Sequence, residues 1–235
     1  MLARTGDADS GMWGLSMFVL DKSMKGINAR QMKCSGVWPS GTALISFDNV
    51  AVPVANMVGD EGMGFKYAMT NFNRERMGIC VQANRFARVC LEESMVHAQR
   101  RETFGKKLIE HPVIRNKLAH MARHVEATHA LIELVAFQSK QMTDDEALTK
   151  LPGLISILKA QTSLTFELCA REAAQIFGGL AYTRGGLGEK VERLYREVRA
   201  YAVRGYGVPP VLMCVGNGGS GARILSVAPV SFPNS

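Results

Sequence analysis

From Phe65 to Tyr201 apolar residues return every three or four positions, and this long helical periodicity limits the possible folds more than any other feature. Phe65, Met69 and Phe72 open it at i, i+4 and i+7, and Ile79, Phe86, Val89, Cys90 and Val96 carry the stripe to about Arg100. Phe104-Gly105 breaks it. Pro112 stands where a first helical turn tolerates proline, and Ile114, Leu118, Met121, Val125, Ile132 and Val135 then keep one face apolar. Thr143-Asp144-Asp145 reads as a loop or a cap. A third long helix runs from Leu151 to Ile176 through Leu154, Ile155, Leu158, Thr162, Phe166, Cys169 and Ala173, and Gly178-Gly179 ends it. A short helix, Glu189 to Tyr201, follows. Long helices joined by short loops predict an antiparallel four-helix bundle.

The first sixty residues have a different grain. Met1 to Thr5, Leu15 to Leu20, Thr42 to Phe47 and Val50 to Val54 read as short strands between Gly, Asp and Ser turns. They are too few to cover both edges of a stable sheet, so the reading is a partial β segment whose beginning is absent from this chain. Gly59-Asp60-Glu61-Gly62-Met63-Gly64 turns the backbone into the first helix, near Phe65, and lacks the spacing of a phosphate-binding loop. Beyond Tyr201, Gly and Pro dominate without periodicity. The expected fold class is mainly α, a partial β segment followed by an antiparallel four-helix bundle. Its expected parts are 1–60 (β segment), 61–203 (bundle) and 204–235 (irregular tail).

A formal net charge of +7 suits an anionic partner, and phosphate-bearing small molecules qualify. Lysines and arginines do not interleave with aromatics, which argues against nucleic acid. Five scattered cysteines, with no C-x-x-C pair, read as small hydrophobes of a reducing compartment rather than a disulfide framework. The histidines make no metal-ligand spacing; His120 and His124, one turn apart, read as surface or core residues. No apolar run approaches the roughly eighteen residues of a membrane span, and no signal peptide is visible.

The stretch Phe72-Asn73-Arg74-Glu75-Arg76-Met77-Gly78 is the candidate for chemistry, with Glu75 at its centre. Two readings stand side by side. An acidic residue where a helix begins is stabilised by the partial positive charge of the helix N-terminus, which makes Glu75 a solvated cap. The other reading is a general base.

Several motifs in order resemble the acyl-CoA dehydrogenase family. Asp48-Asn49-Val50-Ala51-Val52-Pro53 followed by Gly59, Gly62 and Gly64 resembles the family's exit from its middle β domain. Arg101-Glu102-Thr103-Phe104-Gly105-Lys106 is similar to its R-x-T/A-F-G signature, and Gln175-Ile176-Phe177-Gly178-Gly179 to its Q-x-x-G-G turn. Leu194-Tyr195-Arg196-Glu197 with Tyr201 resembles the segment before the family's last helix. The resemblance covers Met1 to about Val203, the C-terminal half of the family's chain, with long-chain or fungal-type members as the nearest subgroup.

That resemblance implies FAD as cofactor and an acyl-CoA thioester as substrate. The implied chemistry is removal of the α-proton by a carboxylate and hydride transfer from the β-carbon to the flavin. Family members place the base either just after the segment matching Tyr201, where this chain has Gly205, or immediately before the Arg of the helix opening, which is Glu75. The resemblance therefore assigns the base to Glu75. Asn73 and Arg76 are implied on the substrate's CoA moiety. Arg101, Thr103 and Phe104 are implied to reach the FAD of a neighbouring subunit, an arginine fork suiting pyrophosphate. Gln175, Gly178 and Gly179 are implied at its adenine end, and the glycine pair also reads as a helix C-cap. An electron-transfer flavoprotein as acceptor, a homodimer or homotetramer, and a mitochondrial or peroxisomal address follow from the same resemblance.

The departures are the missing N-terminal helical domain and first half of the β domain, and Arg204-Gly205-Tyr206-Gly207-Val208-Pro209-Pro210 in place of the family's last helix start. They imply an incomplete or frameshifted gene model and an inactive chain as an open outcome. A non-catalytic bundle acting in assembly, or an acyl-CoA oxidase on the same architecture, remain as alternative readings.

Overall fold

The computed structural model describes residues 1–206, with the backbone of residues 214–215 and 222–224. Its described residues form two compact units: Met1–Cys34 and Trp38–Asn71 in one, Ser35–Val37 and residues 72–206 in the other.

In the first unit β1 (Leu2–Arg4) pairs antiparallel with β2 (Leu15–Phe18), Leu2 opposite Met17 and Arg4 opposite Leu15. A second hairpin joins β3 (Ile27–Gln31) to β4 (Ala43–Phe47), with Ile27 opposite Phe47. β5 (Val50–Val52) and β6 (Met57–Val58) follow, and β6 takes the free edge of β2. Ala3, Phe18, Phe47, Val50 and Val52 form a small buried core. The four expected strands are present. β3 was not expected, because Asn28, Arg30 and Gln31 are exposed and leave no apolar alternation to read. Cys214–Val215 pairs parallel with β1 and Ala222–Ile224 antiparallel with β5. The remainder of the tail expected to be irregular, past residue 206, lies outside the described residues. Both tryptophans, Trp13 and Trp38, belong to this unit and are 64% and 52% exposed.

The glycine turn delivers the chain into α1 (Gly64–Arg100), a helix of 37 residues. Gly59 and Gly62 take φ of 68° and 78°, left-handed backbone that favours glycine. The Gly62 N–H donates to Ser16 Oγ at 2.9 Å. At Gly64 a Cβ would stand 2.6 Å from the carbonyl carbon of Ser16, so only glycine lets the helix start against β2. This start corrects the cap reading of Glu75. The residue sits 11 positions beyond Gly64, about three turns into the helix, where the field of the N-terminus has faded.

The second unit is the bundle: α1 beyond Phe72, α2 (Pro112–Lys140), the short α3 (Asp144–Lys150), α4 (Pro152–Phe177) and α5 (Glu189–Tyr206). Between α1 and α2 stands a hairpin of β7 (Glu102–Thr103) and β8 (Lys106–Lys107). The helices run antiparallel in sequence. Arg88 of α1 pairs with Glu126 of α2 at 2.6 Å, while Cys80, earlier in α1, packs with Ile132 and Val135, later in α2. Between α2 and α4, Thr128 meets Thr165, and Lys117 pairs with Glu172.

The α2 and α4 stripes face the core as expected, with Leu118, Met121, Val125, Leu158, Phe166, Cys169, Ala173 and Ile176 all buried. On α1 the stripe is displaced. Its buried row is Cys80, Ala83, Ala87, Cys90, Leu91, Ser94 and Ala98, whereas Val96 is 43% exposed. Small side chains let neighbouring helices approach closely, so the larger apolar residues of α1 move to the rim. Thr143 is a true N-cap. Its hydroxyl accepts the Glu146 N–H at 3.3 Å while the Glu146 carboxylate accepts the Thr143 N–H at 3.1 Å, a capping box for α3. The last helix continues five residues past the expected end at Tyr201, to Tyr206. Among the described residues no helix is long and apolar enough to cross a membrane.

Candidate active site

The candidate residues fall into two groups on the bundle. Asn73, Glu75 and Arg76 occupy one turn of α1, with Glu75 exposed and Asn73 and Arg76 half-buried. The adjoining Arg74 pairs with Asp144 at 3.5 Å across open water, an ion pair worth little. Arg76 makes no ion pair among the described residues.

The second group gathers at the other end of α1. The Arg101 N–H donates to the His97 carbonyl at 2.9 Å, so Arg101 prolongs the helix before β7 begins. A groove of about 280 Å³ lies there, lined by Glu93, Val96, His97, Arg100, Arg101, Phe177, Leu180 and Leu187. Phe177 and Leu180 flank Gly178 and Gly179, so the fold brings Arg101 near the glycine turn. Gly178 caps α4 with φ of 59°, and both glycines are exposed at the mouth. Gln175 is exposed on the last turn of α4 and does not line the groove.

Thr103 and Phe104 turn toward α2 instead. Thr103 Oγ1 and His111 Nε2 are 3.2 Å apart, and the Phe104 ring meets His111 edge-on at 6.5 Å. Phe104 and Gly105 form the two-residue tip of the hairpin with φ of 52° and 74°, the mirror-image turn that suits a tight hairpin. Such backbone is costly for phenylalanine, and its ring is 96% exposed.

His97, Phe177, Arg100 and Leu187 were not singled out from sequence. The His97 and Phe177 rings stack at 4.3 Å and 17°, making one flat wall. Burial, reinforced by Arg101, pushes the His97 imidazole below its ordinary range, which keeps it neutral near pH 7. Two signals were available: His97 lies four residues before Arg101, hence on its helix face, and Phe177 directly precedes Gly178. Chemically the groove offers two guanidinium groups beside an apolar and aromatic floor. That donor set fits a planar group carrying phosphate.

Glu75 and Arg101 are 26 positions apart on one continuous helix, which separates them by about 39 Å at 1.5 Å per residue. The two groups therefore do not converge on one site within a single chain.

The fold and the site define an antiparallel α-helical bundle domain with a basic, aromatic-floored groove at one end. Residues 62–207 match the family model described as acyl-CoA dehydrogenase, C-terminal domain. The chain belongs to the acyl-CoA dehydrogenase family. It is 40% identical over 204 residues to acyl-CoA dehydrogenase AFT10-1 of Alternaria alternata, covering 86% of this chain and 47% of that protein. It is 37% identical over 206 residues to acyl-CoA dehydrogenase apdG of Emericella nidulans, covering 87% and 47%. Among solved structures, a probable acyl-CoA dehydrogenase from Mycobacterium abscessus superposes with a TM-score of 0.77 at 35% identity, covering 87% of this chain and 52% of that one. The chain thus spans about half the length of the relatives it matches.

Proposed function

We propose that this chain provides the catalytic base and part of the cofactor cradle of an FAD-dependent dehydrogenase that introduces an α,β double bond into an acyl-CoA thioester. The observation that carries the reading is the placement of Glu75. It projects, exposed, from the α1 turn it shares with Arg76, and the alternative position for a base, at Gly205, holds no carboxylate.

The Glu75 carboxylate accepts the α-proton of the thioester. Arg76, half-buried and without a carboxylate partner among the described residues, holds an anionic part of the CoA moiety, and Asn73 donates to the same region. Bound FAD supplies the hydride acceptor for the β-carbon. Arg101 would hold the cofactor's pyrophosphate with its guanidinium fork, and Thr103 and Phe104 would reach it from the hairpin. Gly178 and Gly179 would let the backbone approach the adenine end, Gln175 would contact it from the last turn of α4, and the His97–Phe177 wall would keep water out there. The distance along α1 supports a reading in which the two groups serve different active sites and a second copy of the chain completes each one. An electron-transferring flavoprotein of Acidaminococcus fermentans, 27% identical with a TM-score of 0.71, supports flavin-linked electron exchange as the setting.

The test is the visible spectrum of the purified chain with FAD, followed by a straight-chain acyl-CoA. The expected result is a bound flavin that the thioester bleaches, with bleaching lost and FAD retained in Glu75→Gln. A colourless protein that ignores FAD overturns the reading.

A further inference from the structure

Lys159 is the most deeply buried charged side chain among the described residues, 1% exposed in the middle of α4. Nothing in the chemistry above uses it. Its Nζ donates to Ser163 Oγ at 2.7 Å and to the Tyr201 carbonyl of α5 at 2.5 Å. No carboxylate pairs with it among the described residues, so its charge is offset by neutral acceptors alone, an expensive arrangement for a merely structural contact.

Tyr201 is held from both sides. Its hydroxyl donates to Gln82 Oε1 of α1 at 3.2 Å, and its ring meets Phe86 of α1 edge-on at 5.4 Å and Phe166 of α4 at 5.8 Å. The carbonyl end is taken by Lys159, with Ser163 Oγ at 3.5 Å. Lys159 is also within electrostatic reach of Cys80 and Arg76, which share one face of α1 a turn apart. Burial, aided by Arg76, pushes its amine below the ordinary range, and Cys80 opposes that. Three helices therefore meet around one amine: α4 supplies it, α5 is tied by it, and Cys80 of α1, one turn beyond Arg76, shares a buried cluster with Leu158, the residue before Lys159.

We propose that Lys159 is a positioning residue that locks the final turns of α5 to the α1 face carrying Arg76, and so fixes the turn that presents Glu75. The functional half of this inference rests on the acyl-CoA reading; the structural half does not.

The experiment is hydrogen exchange on the whole chain, wild type against Lys159→Met, with Ser163→Ala as a milder variant and Lys159→Arg as the conservative one. Expected is exchange about tenfold faster in residues 202–206 of Lys159→Met, with α2 unchanged, a smaller change at the same place in Ser163→Ala, and partial rescue in Lys159→Arg. Unchanged exchange at the end of α5, or an even rise throughout the bundle, overturns the proposal. With acyl-CoA and FAD, Lys159→Met lowers kcat about tenfold or more, with KM rising as well because Arg76 shares the turn. An equal rise in KM with kcat intact overturns the functional half. A wild-type chain that turns nothing over counts against the acyl-CoA reading, and the exchange result alone then decides Lys159.

Discussion

Phe104 is held in a backbone conformation that asparagine adopts more readily, and its ring adds almost no packing to the described chain. Phe104→Asn gives the Asn-Gly pair favoured at such hairpin tips. It should stabilise the chain by about 1 kcal/mol, read as a rise in denaturant midpoint, while weakening FAD binding. The thiols make a second prediction at this scale. Burial pushes the Cys169 thiol up to about 12, and the Cys90 thiol higher still, so neither forms thiolate near neutrality. Cys80 is raised by burial too, although the Thr162 hydroxyl and Lys159 oppose the shift. Iodoacetamide at about pH 8 should label half-buried Cys34 in the native chain and leave these three untouched until unfolding, as peptide mass spectrometry would show. Position 75 became a candidate base only through the resemblance of its motif to the family's helix opening, since an acid beside an arginine at a helix start reads equally as a cap. Its depth within α1 was not legible, because the start is fixed by a steric constraint between Gly64 and β2, far away in sequence.

The capping box makes α3 sensitive to acid. Hydrogen bonds from Lys150, then from the Thr143 backbone and hydroxyl, pull the Glu146 carboxyl down to about 2. A carboxyl depressed in the folded state contributes stability above its ordinary value of 4.5, and that contribution is lost as pH falls from there toward about 2. Glu146→Gln should flatten this part of the acid unfolding curve, and Thr143→Ala should cost about 1 kcal/mol at neutral pH. Lys159 gives a slope of the same sign in an alkaline window. Its amine is depressed when folded, so unfolding takes up a proton between that depressed value and 10.5, and stability rises with pH across this window. Lys159→Met should remove that alkaline rise in a urea midpoint series. The elements themselves were read with uneven success, for physical reasons. α2 and α4 present large aliphatic stripes and were traced residue by residue. On α1, Phe86, Val89 and Cys90 pack at the core as read, whereas Ala83, Ala87, Ser94 and Ala98, whose apolar signal is weak, were not picked out.

The chain's own geometry bears on assembly. Inactive Glu75→Gln and Arg101→Ala chains, mixed after unfolding and refolding together, should recover about a quarter of wild-type activity, since half the dimers are mixed and one of their two sites is intact. No recovery on mixing would mean that each chain completes its own site. The bundle could be read from sequence, because helical period is a local signal. The groove between His97 and Phe177 could not, since it needs α1 and α4 to be packed first. The tryptophans have a practical consequence at this scale. Both lie in the β unit with more than half of their surface already in water, and the bundle contains none. Intrinsic emission will therefore change little while the helices melt, and a thermal-shift screen read by fluorescence would miss the transition that circular dichroism records.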